Sequence, residues 1–136
     1  MDAYFSALST KDIFLHNVSS KMDTLLSSPE EYLIKIDQKA NEFYLMIQGD
    51  CLIQLRDRNR NEYWGKHLLV EGEHFGEIAL LYKCKRTASV ISRNYITTAR
   101  LDKAKFNMLI IEHPELKKAL MKHIYTYSYD RKKYIQ

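Results

Sequence analysis

Two charged residues in one otherwise apolar stretch are the strongest candidates for chemistry. The segment HFGEIALLYKCKRTASV, residues 74–90, places Glu77 and Arg86 among small and apolar neighbours. An arginine guanidinium donates paired hydrogen bonds to a phosphate, and a carboxylate accepts one from a sugar hydroxyl. The two charges could instead pair with each other inside the fold. The residue types therefore leave two interpretations open, an internal ion pair and a site for a small anion.

The residues around this pair favour the anion site. Gly72 and Gly76 mark sharp turns, and EIALLY after them is typical of one short helical turn. The free amide groups at the start of such a turn favour a phosphate. Small side chains at Gly76 and Ala79 let the backbone approach the ligand closely. Phosphate, sugar hydroxyl and an apolar slot together describe a nucleotide.

Other kinds of site find little support in the sequence. No glycine-rich loop of the nucleotide triphosphatase or Rossmann type is present. Cys51 and Cys84 match no metal spacing, which favours free thiols in a reducing setting. The five histidines fit no ligand spacing either; they are His16, His67, His74, His113 and His123. We therefore expect a binding protein that is not an enzyme and holds no metal and no cofactor.

Length, composition and charge set the class of protein. The 136 residues are 46% hydrophobic and 28% charged, which predicts one soluble globular domain. The longest apolar runs are far below the roughly 20 residues of a membrane helix. The 21 basic and 17 acidic residues give a net charge of +4. Because the basic residues are scattered, this charge suits a small anion better than a nucleic acid.

Three types of pattern follow one another along the chain, with no repeat and no linker between them. Residues 1–28 show spacings near three and four, which predict N-terminal helices. Residues 29–101 contain short alternating apolar runs that predict the strands of a small barrel or sandwich: EYLIKI, EFYLMIQ, CLIQLR, YWGKHLLV, TASVIS and YITTARL. Residues 102–136 predict two helices, the first capped by Asp102 and the second beginning at Pro114.

The stretch FGEIALLYKCKRTASV resembles the phosphate-binding cassette of cyclic nucleotide-binding domains. That cassette reads F-G-E, an aliphatic, a small residue, two aliphatics, then R-T/A-A-S/T-V. The resemblance extends over roughly residues 29–133, and LDKAKFNMLIIEHPELKKAL resembles the family's pair of lid helices. The resemblance implies an α+β fold of one domain, residues 1–136. Its small antiparallel β-barrel of jelly-roll type, with the cassette at 74–90, is flanked by N-terminal helices and a C-terminal lid-helix pair.

The resemblance also implies roles for individual residues. In the family, the Glu77 position binds the ribose 2′-hydroxyl and the Arg86 position binds the exocyclic oxygens of the cyclic phosphate. Thr87 reaches the phosphate or a guanine amino group. The remaining implied site residues shape the turn, offer backbone amides, line the base pocket or face the ligand from the lid: Phe75, Gly76, Ile78, Ala79, Ala88, Ile53, Leu69, Tyr127 and Arg131.

The sequence departs from the family pattern at several positions. Glu30, Asp37 and Ala40 stand where family members usually carry turn glycines. At Tyr127 related channels often have a basic residue that contacts the base. An aromatic ring there either stacks on the purine or packs in the lid. The choice between cAMP and cGMP is therefore left open.

Features of the lid helices and of the cassette resemble those of hyperpolarisation-activated and cyclic nucleotide-gated channels. These features are Thr87 after Arg86, and the spacing of Phe106-Asn107 and Pro114. They imply a regulatory domain on the cytoplasmic face of a membrane, joined to the rest of a larger channel polypeptide that forms a homotetramer. Ligand binding would be transmitted by movement of the C-terminal helix. A cyclic nucleotide-dependent kinase and a non-binding interaction module of the same fold are the alternatives.

Overall fold

Eight strands and three helices make up the part of the chain that the computed structural model describes, residues 21–127, with side chains to residue 121. The part of the predicted N-terminal helices before residue 21, the Tyr127 side chain and Arg131 lie outside it. The strands are β1 (Asp23–Ser27), β2 (Tyr32–Ile34), β3 (Glu42–Gln48), β4 (Cys51–Arg56), β5 (Glu62–Trp64), β6 (His74–Phe75), β7 (Ser89–Ser92) and β8 (Ile96–Asp102). The helices are α1 (Glu77–Tyr82), α2 (Lys103–Glu112) and α3 (Pro114–Tyr127).

The strands form two four-stranded antiparallel sheets. Their orders are β1-β8-β3-β6 and β2-β7-β4-β5. Strands β3 and β4 coincide with the predicted runs EFYLMIQ and CLIQLR. In β4, Cys51, Ile53 and Leu55 are buried and their neighbours are partly exposed, as expected for a strand with one face on a core. The predicted α+β fold with an antiparallel jelly-roll barrel is confirmed.

Two apolar clusters hold these elements together. The barrel cluster lies between the sheets and contains Ile34, Tyr44, Met46, Cys51, Ile53, Leu55, Leu69, Phe75, Ala88, Val90 and Ile96. The helix cluster joins the three helices to strands β3 and β8 and contains Ala40, Phe43, Ala79, Leu80, Leu101, Phe106, Leu109, Leu116 and Leu120. Because α1 contributes to the helix cluster, the cassette and the C-terminal helices share one core.

Both C-terminal helices begin where the sequence predicted. The Asp102 side chain accepts a hydrogen bond from the Lys105 amide at 2.9 Å, which satisfies a free donor at the start of α2. Pro114 opens α3, where its missing N–H is not needed. Leu116 and Leu120, one turn apart, are both fully buried. None of the helices in residues 21–127 is long and apolar enough to cross a membrane.

The prediction of helices up to residue 28 is wrong at its C-terminal end. Residues Asp23–Ser27 form β1, which pairs with the first five residues of β8, from Asp23↔Arg100 to Ser27↔Ile96. The spacing of Met22, Leu25 and Leu26 fits a helix, but a helix this short has little stability of its own. The edge of β8 instead provides hydrogen-bond partners for the backbone of residues 23–27. This pairing between distant segments outweighs the local preference for a helix. The barrel therefore starts before Pro29.

Two of the missing turn glycines are replaced by residues that adopt the glycine-like conformation. Glu30 has φ 64° and Asp37 has φ 69°, both in the left-handed region, whereas Ala40 is buried in the helix cluster. The Glu30 amide donates to the Ser92 carbonyl at 2.8 Å, so the turn into β2 is fixed by the backbone. At Glu30 and Asp37 the loops therefore adopt a backbone conformation that glycine favours, at a cost in conformational free energy.

Glycine at position 30 is expected to stabilise the protein. Left-handed backbone costs a residue with a side chain about 1 kcal/mol, and Glu30→Gly removes that strain against a smaller entropic loss in the unfolded chain. Urea unfolding should show a gain of roughly 0.5 kcal/mol. Arg58→Gly, in an exposed loop outside the left-handed region, is the control and should lower the free energy of unfolding. Equal losses in both variants would contradict this account.

Candidate functional site

The backbone of Arg86 is fixed to the loop that precedes β3. Its amide donates to the Gln38 carbonyl and its carbonyl accepts from the Asp37 amide, both at 2.9 Å. Asp37 in turn forms an ion pair with Arg56 on β4, and that hydrogen bond holds the pKa of the Asp37 carboxyl below its usual value. Arg86 is thus positioned by the loop before β3, which is itself tied to β4.

The guanidinium of Arg86 is anchored by two backbone carbonyls. It donates from Nη1 to the Gly76 carbonyl at 2.8 Å and from Nη2 to the Glu42 carbonyl at 2.7 Å. Only 5% of the residue is exposed. Burial lowers the pKa of Arg86, while Tyr44, Glu42 and Glu77 oppose that shift, and arginine stays charged. Since a guanidinium has five N–H groups, it can hold both carbonyls and still donate to an anion.

Gly76 allows the turn into α1 to pass close to Arg86. It is the N-cap residue of α1, with φ 91°, and no side chain caps the helix start. A Cβ atom at this position would lie 3.1 Å from Arg86 Nη1 and 3.3 Å from the Glu42 carbonyl oxygen. Only glycine fits this backbone without displacing the guanidinium.

Six of the predicted site residues line one small cleft around Arg86. They are Gly76, Ile78, Ala79, Arg86, Thr87 and Ala88, and Ile34 completes the lining. The cleft encloses only about 10 Å³, the room of about one water molecule. A ligand that placed an anionic group here would therefore lie mostly outside the cleft.

Glu77 and Arg86 do not pair with each other, which removes the ion-pair interpretation. Among the described side chains, the ion pairs within 4.0 Å include none between these two residues. Glu77 is fully buried, and its Oε2 lies 3.6 Å from His74 Nδ1. Arg86 thus lines the cleft, whereas Glu77 lies beside His74 on β6.

Three other predicted residues are described and do not line the cleft. Phe75, Ile53 and Leu69 are buried in the barrel cluster. The Phe75 ring stacks on Tyr44 with a centroid distance of 4.9 Å and an interplanar angle of 3°. Assignment of Ile53 and Leu69 to a base pocket stays a prediction, and so do the roles of Tyr127 and Arg131.

Sequence reasoning missed several residues that build the site. Glu42 contributes its carbonyl to Arg86, and its carboxylate accepts a hydrogen bond from the Tyr44 hydroxyl at 3.1 Å. Burial and this acid raise the pKa of Tyr44 to about 12. A backbone carbonyl leaves no trace in residue types, so Glu42 had no signal. In the sequence, Ile34 was recognisable only as a residue of a predicted strand. His74 was recognisable only as one of the five histidines.

The described residues offer no site for a metal ion. No group of three or more histidine, cysteine or acidic side chains lies close enough together in that part of the chain. Both cysteines are free thiols. Burial raises the pKa of Cys51 to about 12, and burial also raises the pKa of Cys84. Neither thiol is activated as a nucleophile, and the absence of enzymatic activity stays a prediction.

A family model described as the cyclic nucleotide-binding domain matches residues 27–113, well over half of the chain. The chain belongs to the cyclic nucleotide-binding domain family. The match includes the Arg86 cleft, the barrel from β2 to β8 and helix α2. The resemblance predicted from the cassette is confirmed.

Relatives of this cyclic nucleotide-binding domain occur in two kinds of protein. It is 30% identical over 84 residues to a cAMP-dependent protein kinase regulatory subunit of Mycosarcoma maydis, covering 62% of the chain and 16% of that protein. It is 27% identical over 106 residues to potassium/sodium hyperpolarization-activated cyclic nucleotide-gated channel 1 of Oryctolagus cuniculus, covering 78% of the chain and 11% of that protein. The chain thus spans a small part of either relative.

Solved structures of low sequence identity share the fold. The regulatory subunit of a cAMP-independent protein kinase A from Trypanosoma brucei has a TM-score of 0.77 at 18% identity, covering 95% of this chain and 52% of that one. The Thermus thermophilus catabolite activator protein has a TM-score of 0.71 at 22% identity, covering 85% of this chain and 52% of that one. At these identities the likeness concerns the fold alone.

Alanine at position 76 tests whether the turn holds Arg86 in place. Gly76→Ala adds left-handed strain and crowds Arg86 Nη1, so we expect the free energy of unfolding to fall by about 1–3 kcal/mol. Gly65→Ala is the matched control, because its added Cβ would meet its nearest atom, the Ile53 carbonyl oxygen, only at 3.4 Å. Chemical denaturation of both variants measures the difference. A Gly76→Ala variant as stable as the Gly65→Ala control would refute the account of this turn.

Proposed function

We propose that this domain binds a cyclic nucleotide monophosphate, cAMP or cGMP, with its phosphate at the Arg86 cleft. The observation that carries the proposal is the buried guanidinium of Arg86, which faces the cleft at the uncapped start of α1. A fixed, desolvated cation binds an anion more strongly than a mobile surface one does. The amides of Ile78, Ala79 and Ala88, all cleft residues, would complete the contacts to the exocyclic oxygens.

The other ligand contacts follow from the family pattern. Glu77 would accept a hydrogen bond from the ribose 2′-hydroxyl, and Thr87 at the cleft rim would reach the phosphate or a guanine amino group. Because the cleft is small, the ribose and base would extend from it towards the lid. Ile53, Leu69, Tyr127 and Arg131 are the proposed contacts of the base.

Transmission of binding would use the packing of α3 against α1. Ala79 lines the cleft and also belongs to the helix cluster with Leu116 and Leu120 of α3. A ligand that fixes α1 therefore acts directly on the surface against which α3 packs. Binding shifts the population towards the closed position of α3 only as far as the ligand prefers that position.

We further propose that the domain regulates an ion channel at the cytoplasmic face of a membrane, as part of a larger polypeptide and a homotetramer. Thr87 and the spacing of Phe106, Asn107 and Pro114 support the channel. The curated channel relative covers more of the chain, and the curated kinase relative is slightly more identical. A regulatory domain of a cyclic nucleotide-dependent kinase is the second candidate. Sequencing the parent gene on both sides of this domain distinguishes pore helices from a kinase inhibitor segment.

Calorimetric titration with cAMP and cGMP tests nucleotide binding. Arg86→Ala should weaken binding by about 1.5–3 kcal/mol, roughly ten- to a hundred-fold, through loss of a charged contact to phosphate. Arg86→Lys keeps the charge but cannot span both carbonyls and the ligand, so it should also bind weakly. Arg58→Ala, at an exposed loop residue, should bind as the parent does. No heat with either nucleotide from a folded parent would sink the proposal and favour a non-binding interaction module.

Hydrogen exchange in residues 114–127 tests the proposed movement of α3. Saturating nucleotide should slow amide exchange in this helix, because closure on the ligand suppresses local opening. The same nucleotide concentration should leave exchange unchanged in Arg86→Ala. If ligand binds with micromolar affinity and α3 exchange does not change in the parent, α3 does not report binding.

A further inference from the structure

A second cavity lies between α1, the start of α2 and the loop before β3, and has a volume of about 410 Å³. This volume is within the range of small-molecule pockets. Four lysines line it from three separate parts of the chain: Lys39 before β3, Lys83 and Lys85 after α1, and Lys103 at the start of α2. All four are exposed, so their ammonium groups are available to a ligand. The family pattern assigns no role to these residues.

The charged side chains that line this cavity are all basic. Its lining contains no acidic side chain, and none of the four lysines takes part in an ion pair among the described residues. Ala40, Ala79 and Leu80 form a buried apolar floor. The lysines would attract a strongly charged anion, and the apolar floor would contact a less polar part of the same ligand.

Lys83 occupies a position where glycine is the favoured residue. It is the C-cap of α1, with φ 54° and ψ 47°, and its amide donates to the Ala79 carbonyl. Left-handed C-caps are usually glycine because a side chain is strained there. Lys83 thus lines the cavity from a position where the backbone conformation at the end of the helix favours glycine.

We infer that this lysine-lined cavity is a second anion site that binds a phosphorylated small molecule bearing at least two phosphate groups. Lysine ammonium groups bind phosphate as point charges, and several of them favour a multiply charged ligand. Both a free polyphosphate and a phosphorylated lipid headgroup have this chemistry. Ala79 lines both the cavity and the Arg86 cleft, so occupancy of the cavity contacts the element that is proposed to hold the cyclic phosphate.

Titration with inorganic tripolyphosphate, followed by amide chemical shifts, tests the site. We expect saturable shifts centred on Ala40, Leu80 and Lys103 that weaken as ionic strength rises. Lys83→Gly combined with Lys103→Ala should weaken binding about five-fold or more, by loss of two exposed charge contacts. Because glycine suits the left-handed position 83, this variant should remain folded, and its melting curve verifies that.

Two controls make the result decisive. Lys66→Ala combined with Lys118→Ala removes the same charge from exposed positions outside the cavity and should bind tripolyphosphate as the parent does. The amides of Ile78 and Ala88, which line the Arg86 cleft and not the cavity, should shift much less than those of Ala40 and Lys103, which separates this site from the cyclic nucleotide site. Equal weakening in both double-lysine variants, shifts at Ile78 and Ala88 as large as those at Ala40 and Lys103, or no saturable shift in the parent would each overturn the inference.

The source of the phosphate groups is distinguished with vesicles. Flotation with phosphatidylcholine vesicles, with and without phosphatidylinositol 4,5-bisphosphate, measures binding to a lipid whose headgroup carries more than one phosphate group. Capture by the phosphatidylinositol 4,5-bisphosphate vesicles that is lost in the Lys83→Gly, Lys103→Ala variant identifies a lipid headgroup as a ligand. Saturable tripolyphosphate binding without vesicle capture identifies a soluble ligand instead.

Discussion

The contact on which this domain depends is the buried Arg86 guanidinium held between the carbonyls of Gly76 and Glu42. A buried charge is costly unless hydrogen bonds satisfy it, and here backbone carbonyls do so without neutralising it. The arginine therefore ties β3 to the turn before α1 and remains a cation. A partner carboxylate would have stabilised the residue equally well but would have cancelled the charge that an anionic ligand needs. Glu77, in the same cassette, lies beside His74 instead.

The helix cluster links this contact to the end of the chain. Helix α1 is only six residues long and has no stability of its own, so its position is set by Arg86 on one side and by the helix cluster on the other. Leu116 and Leu120 of α3 are fully buried against the same cluster. A short element fixed from two sides can pass a change on one side to the other, which is what the proposed transmission of ligand binding requires.

Much of the fold was predictable because its local signals agree with its tertiary packing. The apolar run EFYLMIQ, the alternation in CLIQLR, the cap at Asp102 and the proline at Pro114 each predict the structure that forms there. The signal failed where local and tertiary preferences compete, at Asp23–Ser27, since β8 supplies backbone partners that spacing cannot reveal. At Glu30 and Asp37 the loops follow their path without glycine, because the backbone bonds around them outweigh the strain.

The sequence by itself determined the family, the cassette and the identity of six residues that line the cleft, because the cassette is one continuous stretch whose residue types carry its chemistry. Only the tertiary structure decided how that chemistry is arranged. The carbonyl of Glu42, the loop at Gln38 and the floor residue Ile34 all come from outside the cassette. So do Lys39 and Lys103, which close the lysine-lined cavity against Lys83 and Lys85. Contacts between segments distant in sequence depend on how the strands pair, and backbone carbonyls look alike at every residue.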